Sequence, residues 1–225
     1  MRRFGSILGF GLCITLCLIV LLGAAKPKVI NFGRWTTVKW LVGAQEEKAV
    51  ELKVRPLMVN GEVKFMSTGE SHEITPQLFV VREVHRLNDK LPPDTAAKWK
   101  WQPGAWVMVN RQTARISKLT LPEFDSFYSE ASWFRDFVAY CGVADNEKLY
   151  AMVMQVGRRK PVVKKLLGGA KVGDLPNSEC ERPQWLRQPM RVVFEPVGGE
   201  KQSFNVRGQS VEIPSEGAEE TEAPN

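Results

Sequence analysis

Along most of this chain apolar and polar residues alternate with a period of two, the signature of strands buried on one face. Val50, Leu52 and Val54 alternate with Glu51, Lys53 and Arg55. Asn60-Gly61 follows, and Val63 and Phe65 then alternate with Glu62 and Lys64. Asn-Gly between two alternating runs predicts a hairpin, because both residues tolerate the positive φ of a type I′ turn. Pro56 has no N–H to give to a ladder, so its strand is expected to be interrupted or to lie at an edge.

Further strands are predicted over Val29–Leu41, Gln77–Leu87, Trp106–Val109 and Arg115–Leu121. Phe137–Gly142 and Leu149–Val156 form a second hairpin around Asp145-Asn146-Glu147. Leu149–Val156 is apolar at both sets of alternate positions, which predicts a central strand covered on both faces. Pro161–Leu167 is another short strand, and Met190–Glu195 with Gln202–Arg207 closes the series as a hairpin across Gly198-Gly199. Asn88–Asp94, with Pro92-Pro93, reads as a loop. So does Gly168–Pro189, punctuated by Pro176 and Pro183, while Glu123–Arg135 is mixed and predicts a loop or one short helix. About ten short strands without helical repeats predict an all-β fold: a single antiparallel β-sandwich or barrel-like domain with at most one short helix.

The first twenty-five residues break the alternation. Arg2 and Arg3 precede a run from Phe4 to Leu22 that only glycines, Ser6 and Thr15 interrupt, and Gly23-Ala24-Ala25 then offers a cleavage site. Charged start, apolar centre and small residues are the layout of an export signal. The run is also long enough for an uncleaved membrane anchor. Residues 1–25 are therefore read as a signal peptide or anchor, 26–211 as the all-β domain, and 212–225 as a disordered acidic tail. The globular part is expected outside the cytoplasm, periplasmic or extracellular, with the membrane touched through the N-terminal segment alone. No cofactor is expected there, since ATP, NAD and reducing thiols belong to the cytoplasm.

Charge adds to this picture. The chain holds 31 Lys and Arg against 25 Asp and Glu; setting aside Arg2, Arg3 and the five glutamates from Glu212 onward leaves 29 against 20. A basic body suits an anionic partner, and outside the cytoplasm that means an envelope protein, a peptide or an anionic polymer rather than nucleic acid. The densest basic patch is Arg158, Arg159, Lys160, Lys164 and Lys165, interleaved with Val162, Val163, Leu166 and Leu167. The pattern also fits a solvated edge strand whose lysines prevent edge-to-edge association.

Cys13 and Cys17 lie in the N-terminal segment, leaving Cys141 and Cys180. An oxidising compartment permits a disulfide between them, closing a loop of about 40 residues and contributing roughly 4 kcal/mol on the chain-entropy estimate. Two buried thiols are the alternative. Ser71-His72-Glu73 reads as polar loop residues before a strand, and His85 as an ordinary strand residue. Two histidines without further ligands nearby do not make a metal site. Glu123, Asp125 and Asp136 are the carboxylates around which a small hydrolase of glycans or peptides would be built.

Aromatic residues are the clearest pointer to a ligand. Phe124, Phe127, Tyr128, Trp133, Phe134, Phe137 and Tyr140 fall within seventeen positions, among Asp125, Arg135 and Asp136. Trp99, Trp101 and Trp106 form a second cluster, which alternation with Lys98 and Lys100 assigns to a core. Trp133, Arg135 and Asp136 are the candidate binding residues. Together these features predict a non-enzymatic, envelope-associated β module that binds a protein, peptide or anionic polysaccharide, with the exported hydrolase as the alternative.

Overall fold

The computed structural model describes residues 28–41, 49–88, 96, 99–145, 147–169, 180–188, 190–207 and 210–212. The N-terminal segment 1–25, most of the Asn88–Asp94 loop and the tail beyond Glu212 lie outside the described residues.

Seven strands build the first sheet: β1 (Ile30–Phe32), β2 (Thr36–Leu41), β3 (Ala49–Val59), β4 (Glu62–Thr75), β5 (Leu78–Asn88), β6 (Trp99–Asn110) and β7 (Ile116–Lys118). β3 pairs with β4, β4 with β5, β5 with β6, β6 with β2, and β2 with β3, so the pairings return on themselves as a five-strand barrel. A meander of five strands brings its first and last strands together pointing the same way. The closing contact, Trp40 opposite Trp101, is accordingly parallel. β1 and β7 extend the sheet on β3 and β6.

The hairpin at Asn60-Gly61 has positive φ at both residues (52° and 81°), as the dipeptide predicts. Pro56 neither interrupts β3 nor lies at an edge. β3 leaves β2 after Val54 and takes up β1 at Leu57, so the missing N–H falls at the change of neighbour. Gly33 crosses there: its N–H donates to the Pro56 carbonyl, and a Cβ on it would lie 2.6 Å from the proline ring. This crossing splits the predicted Val29–Leu41 strand into β1 and β2.

The second sheet comprises β8 (Ser132–Phe134), β9 (Phe137–Val143), β10 (Lys148–Gln155) and β11 (Val163–Gly169), in the order β11-β10-β9-β8. The third comprises β12 (Gln184–Arg187), β13 (Met190–Phe194), β14 (Gln202–Arg207) and β15 (Ser210–Glu212), in chain order. Three cores hold these parts together. Leu57 and Val59 of β3 meet Phe79, Val81, Val107 and Val109 of β5 and β6. Since β3 and β5 are not neighbours in the circuit, these side chains fill the barrel. Val80 and Trp106, on its outer face, pack against Val138, Tyr140, Met152 and Met154 of the second sheet. The alternate residues of that sheet, Phe137, Ala139, Leu149, Ala151 and Val153, pack against Val192, Phe194, Phe204 and Val206 of the third. The second sheet is thus covered on both faces, which is why Leu149–Val156 lacks polar alternation.

All-β architecture is shown, but not as a single sandwich or barrel-like domain of about ten strands: among the described residues there are three sheets and fifteen strands. Among the described residues no helix occurs, and 123–131 is a run of turns and loop. The predicted loop Gly168–Pro189 contains β12, and Glu212, assigned to the tail, ends β15. Strands of three or four residues such as Ser-Trp-Phe and Gln-Trp-Leu-Arg are too short to show a period. Cys141 of β9 is bonded to Cys180, which bridges to Pro196 beside the third sheet, with a Cα–Cα distance of 6.3 Å. The bond joins the second and third layers inside their shared core.

Candidate functional site

Cross-strand partners share a face of a sheet, so the register at the parallel seam sets out a row: Val50, Trp40, Trp101 and Arg86, on β3, β2, β6 and β5. Trp99 adjoins it, one pleat along from Trp101. The Arg86 guanidinium lies 4.9 Å from the Trp99 ring centre and 5.6 Å from that of Trp101. Trp40 receives the edge of Phe127 at 5.9 Å. The assignment of this Trp cluster to the core is corrected in part. Trp106 is buried, but Trp99 is 53 % exposed and Trp101 is half-buried. Lys98 falls outside the described residues; the alternation places Trp99 and Trp101 together, but on an open face.

Beside this row lies a cleft of about 370 Å³, where the barrel, the turn segment 122–131 and the chain before β12 meet. Trp35, Trp40 and Trp106 supply its aromatic surface. Lys53, Arg82 and Arg182 supply positive charge, and Glu70 and Glu130 negative charge. Arg82 is the fixed point. Its Nη2 donates to the Ser126 carbonyl at 2.6 Å and its Nε to the Gly104 carbonyl at 3.3 Å, tying the turn segment to the barrel. Burial pulls the Arg82 pKa below its ordinary value, while Glu130 and then Glu70 act in the opposite direction.

The predicted binding residues are partly separated. Trp133 turns inward, stacked on His72 at 5.6 Å and edge-on to Trp106 at 5.2 Å. Arg135 and Asp136 form the turn between β8 and β9, with Arg135 at a φ of 52°. The Asp136 carboxylate accepts from the Gln155 side chain (2.8 Å). These two residues border a separate depression of about 600 Å³ with Leu78 and Met108 on the outside of the barrel. His72 is not in a loop ahead of a strand. It lies within β4, half-buried, and donates from Nε2 to the Arg135 carbonyl at 2.7 Å.

The three predicted carboxylates have different duties. Glu123 pairs with Lys164. Asp125 accepts from the backbone N–H groups of Phe127 and Tyr128 and so caps a turn, and Asp136 ties its hairpin to Gln155. Among the described residues, none of the cavities described brings the three together. Instead Glu70 and Glu130 share the cleft, and nothing in their local sequence marks them as a pair: they are sixty residues apart, and only barrel closure and the covering turns bring them together. Among the described residues no three His, Cys, Asp or Glu side chains come together in a group able to hold a metal ion.

Arg158, Arg159, Lys160, Lys164 and Lys165 are all exposed and lie at and before β11, the outer strand of the second sheet. Lys164 sits over the Tyr150 ring, and its hydrogen bond to Glu123 holds its pKa above the usual value. No family model, curated protein or solved structure matches this chain.

Proposed function

We propose that this chain is an exported, envelope-associated β module that binds a protein segment, a peptide or an anionic polysaccharide outside the cytoplasm without transforming it. The observation that carries this reading is the composition of the cleft: indole surfaces alternate with charges of both signs in a concavity where three parts of the chain meet. Ligand sites are concave, largely apolar and oriented by a few polar groups, and about 370 Å³ falls within their usual size range. The N-terminal segment and the basic body support a location beside anionic envelope polymers. The Cys141–Cys180 bond suits an oxidising compartment.

The test is a binding panel of extended peptides, neutral oligosaccharides and acidic oligosaccharides against the full chain, read by calorimetry. A Trp35→Ala variant is run beside the parent, because Trp35 stands on the cleft rim and is 51 % exposed. The expected result is a ligand whose affinity falls at least about tenfold in the variant with little change in the melting temperature. Equal binding by both proteins moves the site elsewhere and overturns the reading. Export is checked by access of protease to the folded domain in intact cells and, for a periplasmic location, after the outer membrane alone is permeabilised.

One observation favours a second reading. Glu70 and Glu130 line the same cleft, so the hydrolase alternative attaches to them. It predicts shortened oligosaccharide products, lost in Glu130→Gln while binding is kept.

A further inference from the structure

We infer that the cleft is built for a carboxylate-bearing sugar ring, stacked on Trp35 and Trp40 with its carboxylate between Lys53 and Arg182. This rests on the binding reading above and narrows it to one class of ligand.

At Trp40, β2 is paired on both sides, to Val50 and to Trp101, and β6 is paired to β5 along the same stretch. At that point the cleft floor is a sheet face whose N–H and C=O groups are engaged in ladders. Along Thr36–Lys39, among the described residues, β2 pairs with β3 alone, and binding of hexaglutamate tests whether an extended chain takes that edge. The side chains around the floor favour a ring.

Those side chains suit a ring. Trp35 is exposed yet held: the Arg55 guanidinium lies 4.5 Å from its ring centre, and Arg55 is itself fastened to the Gly69 carbonyl. Gly69 leaves room for the indole, because a Cβ there would lie 2.3 Å from the Trp35 ring. An exposed tryptophan fixed from behind by a guanidinium and a glycine is a rigid platform, and rigidity lowers the ordering cost of binding. The negative face of an indole attracts the C–H face of a pyranose, as it does the positive edge of another ring.

Charge sets the rest. Arg82 faces Glu130 and Glu70 and bonds two carbonyls, so it is committed to the fold. Lys53 and Arg182 enter the same cleft from β3 and from the chain before β12, and their side chains make no ion pair among the described residues. Two uncommitted cations beside a fixed indole describe a site for an anionic ring.

The test uses the full-length chain in mild detergent. Its probes are short oligomers of galacturonate, glucuronate-containing hyaluronan and alginate, the methyl ester of the galacturonate oligomer, and hexaglutamate. At least one acidic oligosaccharide is expected to bind, with the ester and hexaglutamate each at least about tenfold weaker. Lys53→Gln with Arg182→Gln lowers acidic-sugar affinity at least about tenfold and leaves ester binding unchanged, whereas Trp35→Ala weakens both. Equal affinity for the ester overturns the carboxylate assignment, and equal affinity for hexaglutamate overturns the ring; the module reading survives either result. Failure of all acidic sugars to bind overturns the inference, and silence across the peptide panel as well overturns both.

Discussion

The second sheet and the barrel seam are made of the same kinds of residue and meet opposite fates. In β9 and β10 most side chains are buried, because the barrel covers one face and the third sheet the other. At the seam, Val50, Trp40, Trp101 and Trp99 are as apolar, yet Val50 is 49 % exposed and Trp99 more so. Apolarity states that a face gains from cover, at roughly 25 cal/mol per Å². Whether cover arrives depends on what the rest of the chain places there. Where it does not arrive, the apolar face stays open, as it does at Val50 and Trp99.

Phe194 is fully buried between the second and third sheets and edge-on to Phe204. Phe194→Ala is expected to cost about 3–5 kcal/mol in chemical unfolding. A cost under about 1 kcal/mol would show that the third sheet is not a core layer. Replacing both Cys141 and Cys180 by Ser should cost about 2–4 kcal/mol and shift the melt of reduced parent and variant to the same point. At the seam the effects shrink. Leu52 is half-buried in the cleft wall, so Leu52→Ala should cost about 1 kcal/mol, and exposed Lys53→Gln should stay within about 0.5 kcal/mol.

The covered sheet also carries a group that responds to alkaline pH. The Tyr140 hydroxyl donates to the Pro122 carbonyl (2.7 Å), and burial, then the nearby Glu123, push its pKa well above the ordinary value. The protonated phenol is the form the fold prefers. Its contribution is complete below the unfolded-state value near 10 and declines as pH rises from there toward the raised folded-state value. Unfolding midpoints measured up the alkaline range should fall, and Tyr140→Phe should flatten that fall. An unchanged slope in the variant assigns alkaline sensitivity to another group.

Much of the architecture was legible because period-two patterning survives in single strands. Asn60-Gly61 marked its hairpin, and the doubly apolar Leu149–Val156 marked a covered strand. The cleft was not legible. Trp35, Lys53, Glu70, Arg82, Glu130 and Arg182 come from six places in the chain. The dense aromatic segment 124–140 points instead to Trp133, which packs against His72 and Trp106.

The sequence alone determined that the chain is all-β, where its main hairpins turn, and that two cysteines remain in the domain, because these depend on local dihedral preference, side-chain period and counting. Tertiary structure decided the closure of five strands through one parallel contact, the stacking of three layers, and which tryptophans are covered. Those outcomes depend on contacts between residues far apart in the chain, and no local pattern encodes which distant surface will arrive.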